Sequence, residues 1–183
     1  EGECKRILTT YRESFPFIPA LWEKGQRCLD ALSDEKLKTT EFGTQPQAVN
    51  VLPGVGFDLP SGLPLKYMDL RAIDVDDRGR RQYIYSTRRG IVRIYGGKVV
   101  ENICQALARC VIGEQMLRIA KRYKVVLTVH DAVACIAPES EWREACLFVQ
   151  ESMRWRPTWA ATLPLNCEVK FGKSYGTTEK FKE

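Results

Sequence analysis

The strongest constraint on the fold of this chain is one long helical register that runs straight into a strand-forming stretch. In KVVENICQALARCVIGEQMLRIAKRY (98–123), Val100, Ile103, Leu107, Cys110, Val111, Leu117 and Ala120 recur at intervals of mostly three and four. That is the period of an α-helix with one apolar side. The period then changes. VVLTV (125–129) is β-branched and predicts a strand, His130-Asp131 interrupts it, and AVACIA predicts a return strand that Pro138 ends. A long helix beside an antiparallel hairpin places the chain in the α+β class.

With 183 residues, 44% of them hydrophobic, the remainder fits one globular domain or a domain with an appendage. Residues 3–36 read as helical, with Ile7, Leu8, Tyr11 and Phe15 on one side. Pro16 and Pro19 interrupt that pattern, and a second helix follows with Leu21, Trp22, Cys28, Leu29 and Leu32 as its apolar face. Residues 39–65 read as loop, because Pro46, Pro53, Gly54, Gly56, Pro60, Gly62 and Pro64 punctuate them. Within and just after that stretch, FDLPSGLPLKYMDL predicts a strand, a turn at Pro60-Ser61-Gly62 and a second strand. QYIYS and GIVRIYG predict two more, so a small antiparallel meander is expected. Most of Arg78, Arg80, Arg81, Arg88 and Arg89 read as solvated turn residues.

Beyond the hairpin, SEWREACLFVQESMRW predicts a helix capped by Ser140, with Trp142, Ala145, Cys146, Val149 and Met153 on its buried stripe. LNCEVKFG predicts a last strand, joined to the sheet of the 124–137 hairpin, and KSYGTTEKFKE a polar tail. Helices 98–123 and 139–154 are expected on one side of that sheet, with Leu117 and Val149 buried.

The net charge of +5 permits an anionic partner without demanding one. The seven cysteines are odd in number and lack a CxxC pair, which points to reduced, mostly buried thiols of a cytosolic protein and against a zinc knuckle. No apolar run reaches membrane-span length and no signal peptide is visible. A start at Glu1 without Met suggests a processed chain or a piece of a larger protein.

His130 is the sole histidine. A Ser-His-Asp triad is disfavoured, since adjacent strand residues point to opposite faces and Asp131 could not orient His130. A His-Asp metallophosphohydrolase needs several imidazoles. Two readings stay open: a carboxylate Mg²⁺ site at Asp131, and a structurally neutral turn. A second pattern lies on the long helix. Lys98, Asn102, Gln105 and Arg109, spaced by four, three and four, share one face and form a row of donors. Most such rows are solvated, but Asn102 and Gln105 are not residues usually chosen for solubility alone.

GGKVVENICQALARCVIGEQMLRI followed by VVLTVHDAVACIAPE resembles the C-terminal end of family A DNA polymerases, the group of bacterial DNA polymerase I and many phage replicases. LPSGLPLKY, RRGIVRIYGGKVVENICQALAR and SMRW are similar to the phage branch, and TTYRESFPFIPALWEKG to the helices before the palm. The resemblance implies an antiparallel palm sheet whose hairpin is motif C. It implies a division into a helical segment joining fingers and palm (1–38), a loop and meander (39–97) and a palm portion (98–183). Asp131 would be a catalytic, metal-binding carboxylate and His130 would contact the primer end. Gln105 and Asn102 would face the minor groove of the primer–template, where contacts to shared acceptors sense base-pair shape. By charge, Lys98 and Arg109 would neighbour phosphates. The implied reaction joins dNTPs to a primer 3′-hydroxyl on template DNA with two Mg²⁺ ions roughly 3.5–4 Å apart, in the cytoplasm of a bacterial or phage-infected cell.

Two positions depart from that pattern: Ala132 stands where a glutamate usually follows the aspartate, and Cys110 where phage sequences often have aspartate. Motif A, with the second metal-binding aspartate, and motif B, with the dNTP-binding helix, belong to a missing N-terminal polymerase portion. The chain alone is therefore expected not to polymerise. The other class of reading is a non-catalytic nucleic-acid-binding module that keeps the palm shape.

Overall fold

A computed structural model describes residues 2–34, 41–42, 49–76 and 79–182. Arg78, and the larger part of the expected loop between 39 and 48, lie outside the described residues. Helix and antiparallel strand are mixed throughout, an α+β architecture. The chain divides into two units, Glu1–Leu107 and Ala108–Glu183, and the division falls inside its longest helix.

In the first unit the proline joint forms as expected. α1 (Gly2–Ser14) and α2 (Phe17–Ser33) are separated by Pro16, whose φ of −63° suits a helix start. Pro19 sits in the first turn of α2, where a missing N–H leaves no intrahelical bond unmade. α1 buries none of its residues, so Ile7, Leu8, Tyr11 and Phe15 stay exposed. α2 buries Cys28, Leu29, Ala31 and Leu32.

The proline- and glycine-rich segment is more ordered than its composition predicts. β1 (Glu41–Phe42), β2 (Val49–Leu52), β3 (Gly56–Asp58) and β4 (Leu65–Lys66) form an antiparallel sheet in sequence order. Between β2 and β3 the chain reverses through Gly54, at φ 71°, and enters β3 at Gly56, at φ 150°. Only glycine fits at Gly56, because a Cβ there would overlap the Leu65 carbonyl of the neighbouring strand. Paired Val51 and Phe57 are both buried. The turn at Pro60-Ser61-Gly62 then leads to β4 as expected. β5 (Met68–Val75), β6 (Arg81–Thr87) and β7 (Gly90–Ile94) complete the expected meander.

α3 (Gly96–Ala120) opens two residues earlier than its periodicity suggests. Its start is fixed by Gln26 of α2, which is 9% exposed. The Gln26 Oε1 accepts the Gly96 N–H at 3.0 Å, and its Nε2 donates to the Arg81 carbonyl of β6 at 2.8 Å. One side chain thus ties α2, the first turn of α3 and the meander. The backbones meet closely there: a Cβ on Gly96 would overlap the Trp22 carbonyl. Leu29, Val49, Phe57, Tyr83, Ile94, Val99 and Ile103 form the core around this junction. Burying each large side chain of that set stabilises the unit by about 1.5–3 kcal/mol.

In the second unit, β8 (Lys124–Val129) and β9 (Ala132–Ile136) form the expected hairpin, and α4 (Trp142–Arg154) packs on it. Ile119, Tyr123 and Ala145 are the buried centre, with Val125, Val133, Cys135, Phe148, Val149 and Met153 around them. Gln115, 1% exposed, donates to the Met153 and Trp155 carbonyls at 2.6 and 3.1 Å, satisfying acceptors that the end of α4 leaves open.

Several expectations fail here. Ser140 does not cap α4: it sits in a 3₁₀ turn, Glu139–Glu141, and the cap position falls to Glu141. Leu117 is 68% exposed, because the buried side of α3 at this level is Gln115 and Ile119. Trp142 is also partly exposed, but it stacks on Phe171 with ring centroids 4.4 Å apart. The last strand does not join the hairpin. β10 (Lys170–Phe171) pairs instead with β11 (Glu179–Lys180), inside the expected polar tail, and Phe181 just beyond is buried. The thiols of Cys4 and Cys104 are exposed rather than buried. No helix among the described residues is long and apolar enough to cross a membrane.

Candidate functional site

His130 and Asp131 are the two residues that close the β8–β9 hairpin, between paired Val129 and Ala132. Neither belongs to a strand, so strand alternation does not govern where they point. His130 has φ 54° and Asp131 has no positive φ. A positive φ at the first of two turn residues is the sign pattern of a type II′ turn, whose twist matches the strands it joins. Glycine usually fills that position, so a histidine there sits in a sparsely populated backbone region. Both side chains are exposed.

A bulge sets the hairpin's faces. Val125 pairs with Cys135, but Leu127 pairs with Ala134, which leaves Val126 extra. The half-buried residues of β8 are consequently Val125 and Thr128, three apart rather than two. Leu127 and Val129 remain more than 40% exposed on the other side.

The donor row of α3 lies in the first unit as far as Gln105, with Arg109 one turn further along the helix. The row is not made of donors alone. Glu101 lies within it and accepts from Lys98 Nζ at 2.8 Å and from Gln105 Nε2 at 3.3 Å. That carboxylate holds the Lys98 ammonium above its ordinary pKa, chiefly through the hydrogen bond. Asn102 turns aside: its Nδ2 donates to the Tyr67 hydroxyl at 3.0 Å. Burial pushes the Tyr67 phenol up to about 12, against the pull of the Asn102 hydrogen bond, so it stays neutral and accepts the amide. Arg109 is exposed. Lys98 and Gln105 are therefore brought together by a common acid, Asn102 is committed to the core edge, and His130 and Asp131 share a turn in the other unit. Glu101 and Tyr67 were missed in the sequence. A glutamate at i+3 from Lys98 and i−4 from Gln105 was the available signal for the first, while Tyr67 is joined to Asn102 only by the fold.

Mg²⁺, the cofactor implied by resemblance, finds one ligand rather than a site. Among the described residues no three His, Cys, Asp or Glu side chains are placed to hold an ion. Asp131 offers a single exposed carboxylate, an oxygen donor of the type Mg²⁺ takes, and it fits as one member of a ligand set completed from elsewhere.

The class this arrangement defines is an α+β protein with an exposed His-Asp turn and a polar helix face, and its sequence places it in relation to DNA polymerases. The chain is 34% identical over 178 residues to a DNA polymerase of Bacillus phage SP02, an alignment covering 92% of this chain and 26% of that protein. It thus spans about a quarter of the relative's length. No protein-family model and no solved structure matches the chain.

Proposed function

We propose that this chain is the C-terminal palm portion of a family A DNA polymerase of phage type, with the His130-Asp131 turn at the reaction centre. The observation that carries the reading is the 34% identity to the phage polymerase across 92% of the chain. The strained, exposed turn supports it, since an L-residue at φ 54° is held where glycine would be easier.

In the proposed reaction the primer 3′-oxygen attacks the α-phosphorus of a dNTP. The bond from that phosphorus to the bridging oxygen of the β-phosphate breaks, pyrophosphate leaves, and the hydroxyl proton passes to solvent. Asp131 would hold Mg²⁺ as one carboxylate of a set, and the ion would supply charge neutralisation at the phosphates. His130 contacts the primer end. Gln105 exchanges its Glu101 partner for minor-groove acceptors, Lys98 and Arg109 lie near phosphates, and Asn102 holds the helix face through Tyr67. The second carboxylate and the dNTP-binding helix come from the N-terminal portion of the polymerase.

Primer extension tests this. In the polymerase that contains the chain, Asp131→Asn should abolish extension while primer–template binding persists. The chain alone, given Mg²⁺ and dNTPs, should extend nothing. Native-rate extension by Asp131→Asn, or Asp131-dependent extension by the isolated chain, overturns the assignment. Ala132 and the single carboxylate favour a second reading, a non-catalytic nucleic-acid-binding module of palm shape. Its signature is duplex binding together with an Asp131→Asn variant that changes nothing.

A further inference from the structure

The arginines around the meander are not equivalent. Arg80 is paired, its guanidinium 2.9 Å from the Asp76 carboxylate. Arg81 is exposed, but its guanidinium is engaged by a hydrogen bond to Tyr83. Arg71, Arg88, Arg89 and Arg93 are different: all are exposed, and none pairs with a described carboxylate.

Strand register places two of these four together. Arg71 pairs with Ile84 and Ile84 with Arg93, so the three form one cross-strand row. Directly opposed residues share a face. The flanking row of Tyr83 and Ile94 is buried, so the Arg71–Ile84–Arg93 row faces outward. The two arginine positions are separated by two strand spacings, about 10 Å. Arg88 and Arg89 form the β6–β7 turn at one end of the same ribbon, fastened by Thr87, which donates to the Gly90 carbonyl at 2.8 Å. The outward rows next to the pair hold Ser86, Ile91 and Met68 on one side and Gln82 and Asp74 on the other. Asp74 is the acid of that face, and its carboxylate accepts the Val75 N–H at 2.8 Å. Asp69 is exposed on β5 at φ 52°.

We propose that the outer face of β5–β7 is a binding surface for the phosphate backbone of duplex nucleic acid, with Arg71 and Arg93 as paired phosphate contacts and Arg88-Arg89 as a flanking clamp. Two guanidiniums on the outward rows and two in the adjoining turn, against Asp74 on those rows and Asp69 on β5, leave a net positive face with the charge complementarity for a polyanion. The paired outward rows carry no aromatic side chain, and exposed Tyr95, just beyond β7, offers one ring rather than the series that stacks successive bases, which favours duplex over single strand. Binding of single strands depends on rings that stack bases, and the tyrosines of β6 face inward: Tyr83 is buried with its hydroxyl bonded to Asp30, and Tyr85 packs edge-on against Tyr67. Contacts of this kind ignore sequence and are salt-dependent through counterion release. The surface goes beyond the polymerase reading and does not depend on it, since it uses no residue of the turn or of the α3 row.

The test is duplex binding by this whole chain, measured by fluorescence anisotropy between 50 and 200 mM salt. Its variants are Arg71→Ala/Arg93→Ala and a charge-matched control, Lys121→Ala/Lys182→Ala. Loss of two phosphate contacts should lower the log–log salt slope by about 1.8, so the native chain loses about tenfold more affinity over that range than the variant. The control should keep the native slope, and circular dichroism should show both variants folded. Poly-dT should bind more weakly than the duplex. A native slope in the arginine variant, preference for poly-dT, or equal binding to polyglutamate as an acidic-protein surrogate would each overturn the proposal. Failure of Asp131→Asn to affect extension would not touch it.

Discussion

Replacing Gln26 with leucine should loosen the first unit and leave the second as it is. In the native chain the Gln26 amide satisfies the Gly96 N–H at 3.0 Å and the Arg81 carbonyl at 2.8 Å, both reached from a side chain only 9% exposed. Leucine has nearly the same size but neither a donor nor an acceptor. Each stranded backbone group costs about 1–3 kcal/mol, so the gross loss is about 2–6 kcal/mol. Burying an apolar side chain in place of the amide returns about 2 kcal/mol. A net loss of about 2 kcal/mol follows, which is about a 30-fold rise in opening. Amide hydrogen exchange reads it directly: Val99 and Ile103, on the buried side of α3, should exchange about 30-fold faster, with Val125 and Phe148 unchanged. Acceleration below about fivefold would falsify the view that Gln26 fixes the start of α3. Equal acceleration at Val125 and Phe148 would show that the two units do not open separately.

Further outcomes test the same interior. Gly96→Ala should expose the first unit to limited proteolysis despite alanine's better helix propensity, because its Cβ overlaps the Trp22 carbonyl; a protease-resistant variant contradicts that packing. Burial raises the Cys28 thiol to about 11 from 9.0. The folded chain therefore keeps a proton that the unfolded chain releases, and stability present below pH 9 should decline as pH rises toward 11. Urea midpoints from pH 8 to 11 should show this fall, and Cys28→Ala should make it shallower, the remainder coming from the other thiols and phenols that burial raises. Glu101→Ala should release Lys98 and Gln105 and tighten duplex binding with little change in stability, the exposed ion pair being weak; unchanged affinity would mean that the α3 row does not meet nucleic acid.

Local pattern and distant contact divided the determination of this protein between them. The helices were legible because their signals lie within one or two turns: Pro16 and Pro19 separate α1 from α2, and a three-four apolar repeat marks α3. The β8–β9 hairpin and its His130-Asp131 turn were legible for the same reason, as were β6 and β7 from QYIYS and GIVRIYG. FDL marked β3, but glycine and proline hid β2, since the order there comes from Val51 meeting Phe57 across a turn that glycine makes possible. The tail's polarity hid β11, which is held by Lys170 and Phe171 and by Phe181 reaching the interior. Leu117 suited a buried stripe by period, yet the fold turned Gln115 and Ile119 inward, and Gln115 has carbonyls to satisfy that no helical wheel displays. In the candidate site, the residue types and their shared helix face were written in the chain. Which donors remain available was decided by tertiary structure, for Asn102 meets Tyr67 thirty-five residues away while Gln105 meets its helical neighbour Glu101. The arginines of the meander divide in the same way. Their number is a property of the sequence, but cross-strand register alone sets Arg71 and Arg93 on one outward row, on either side of Ile84, because pairing, not composition, assigns a strand residue its face.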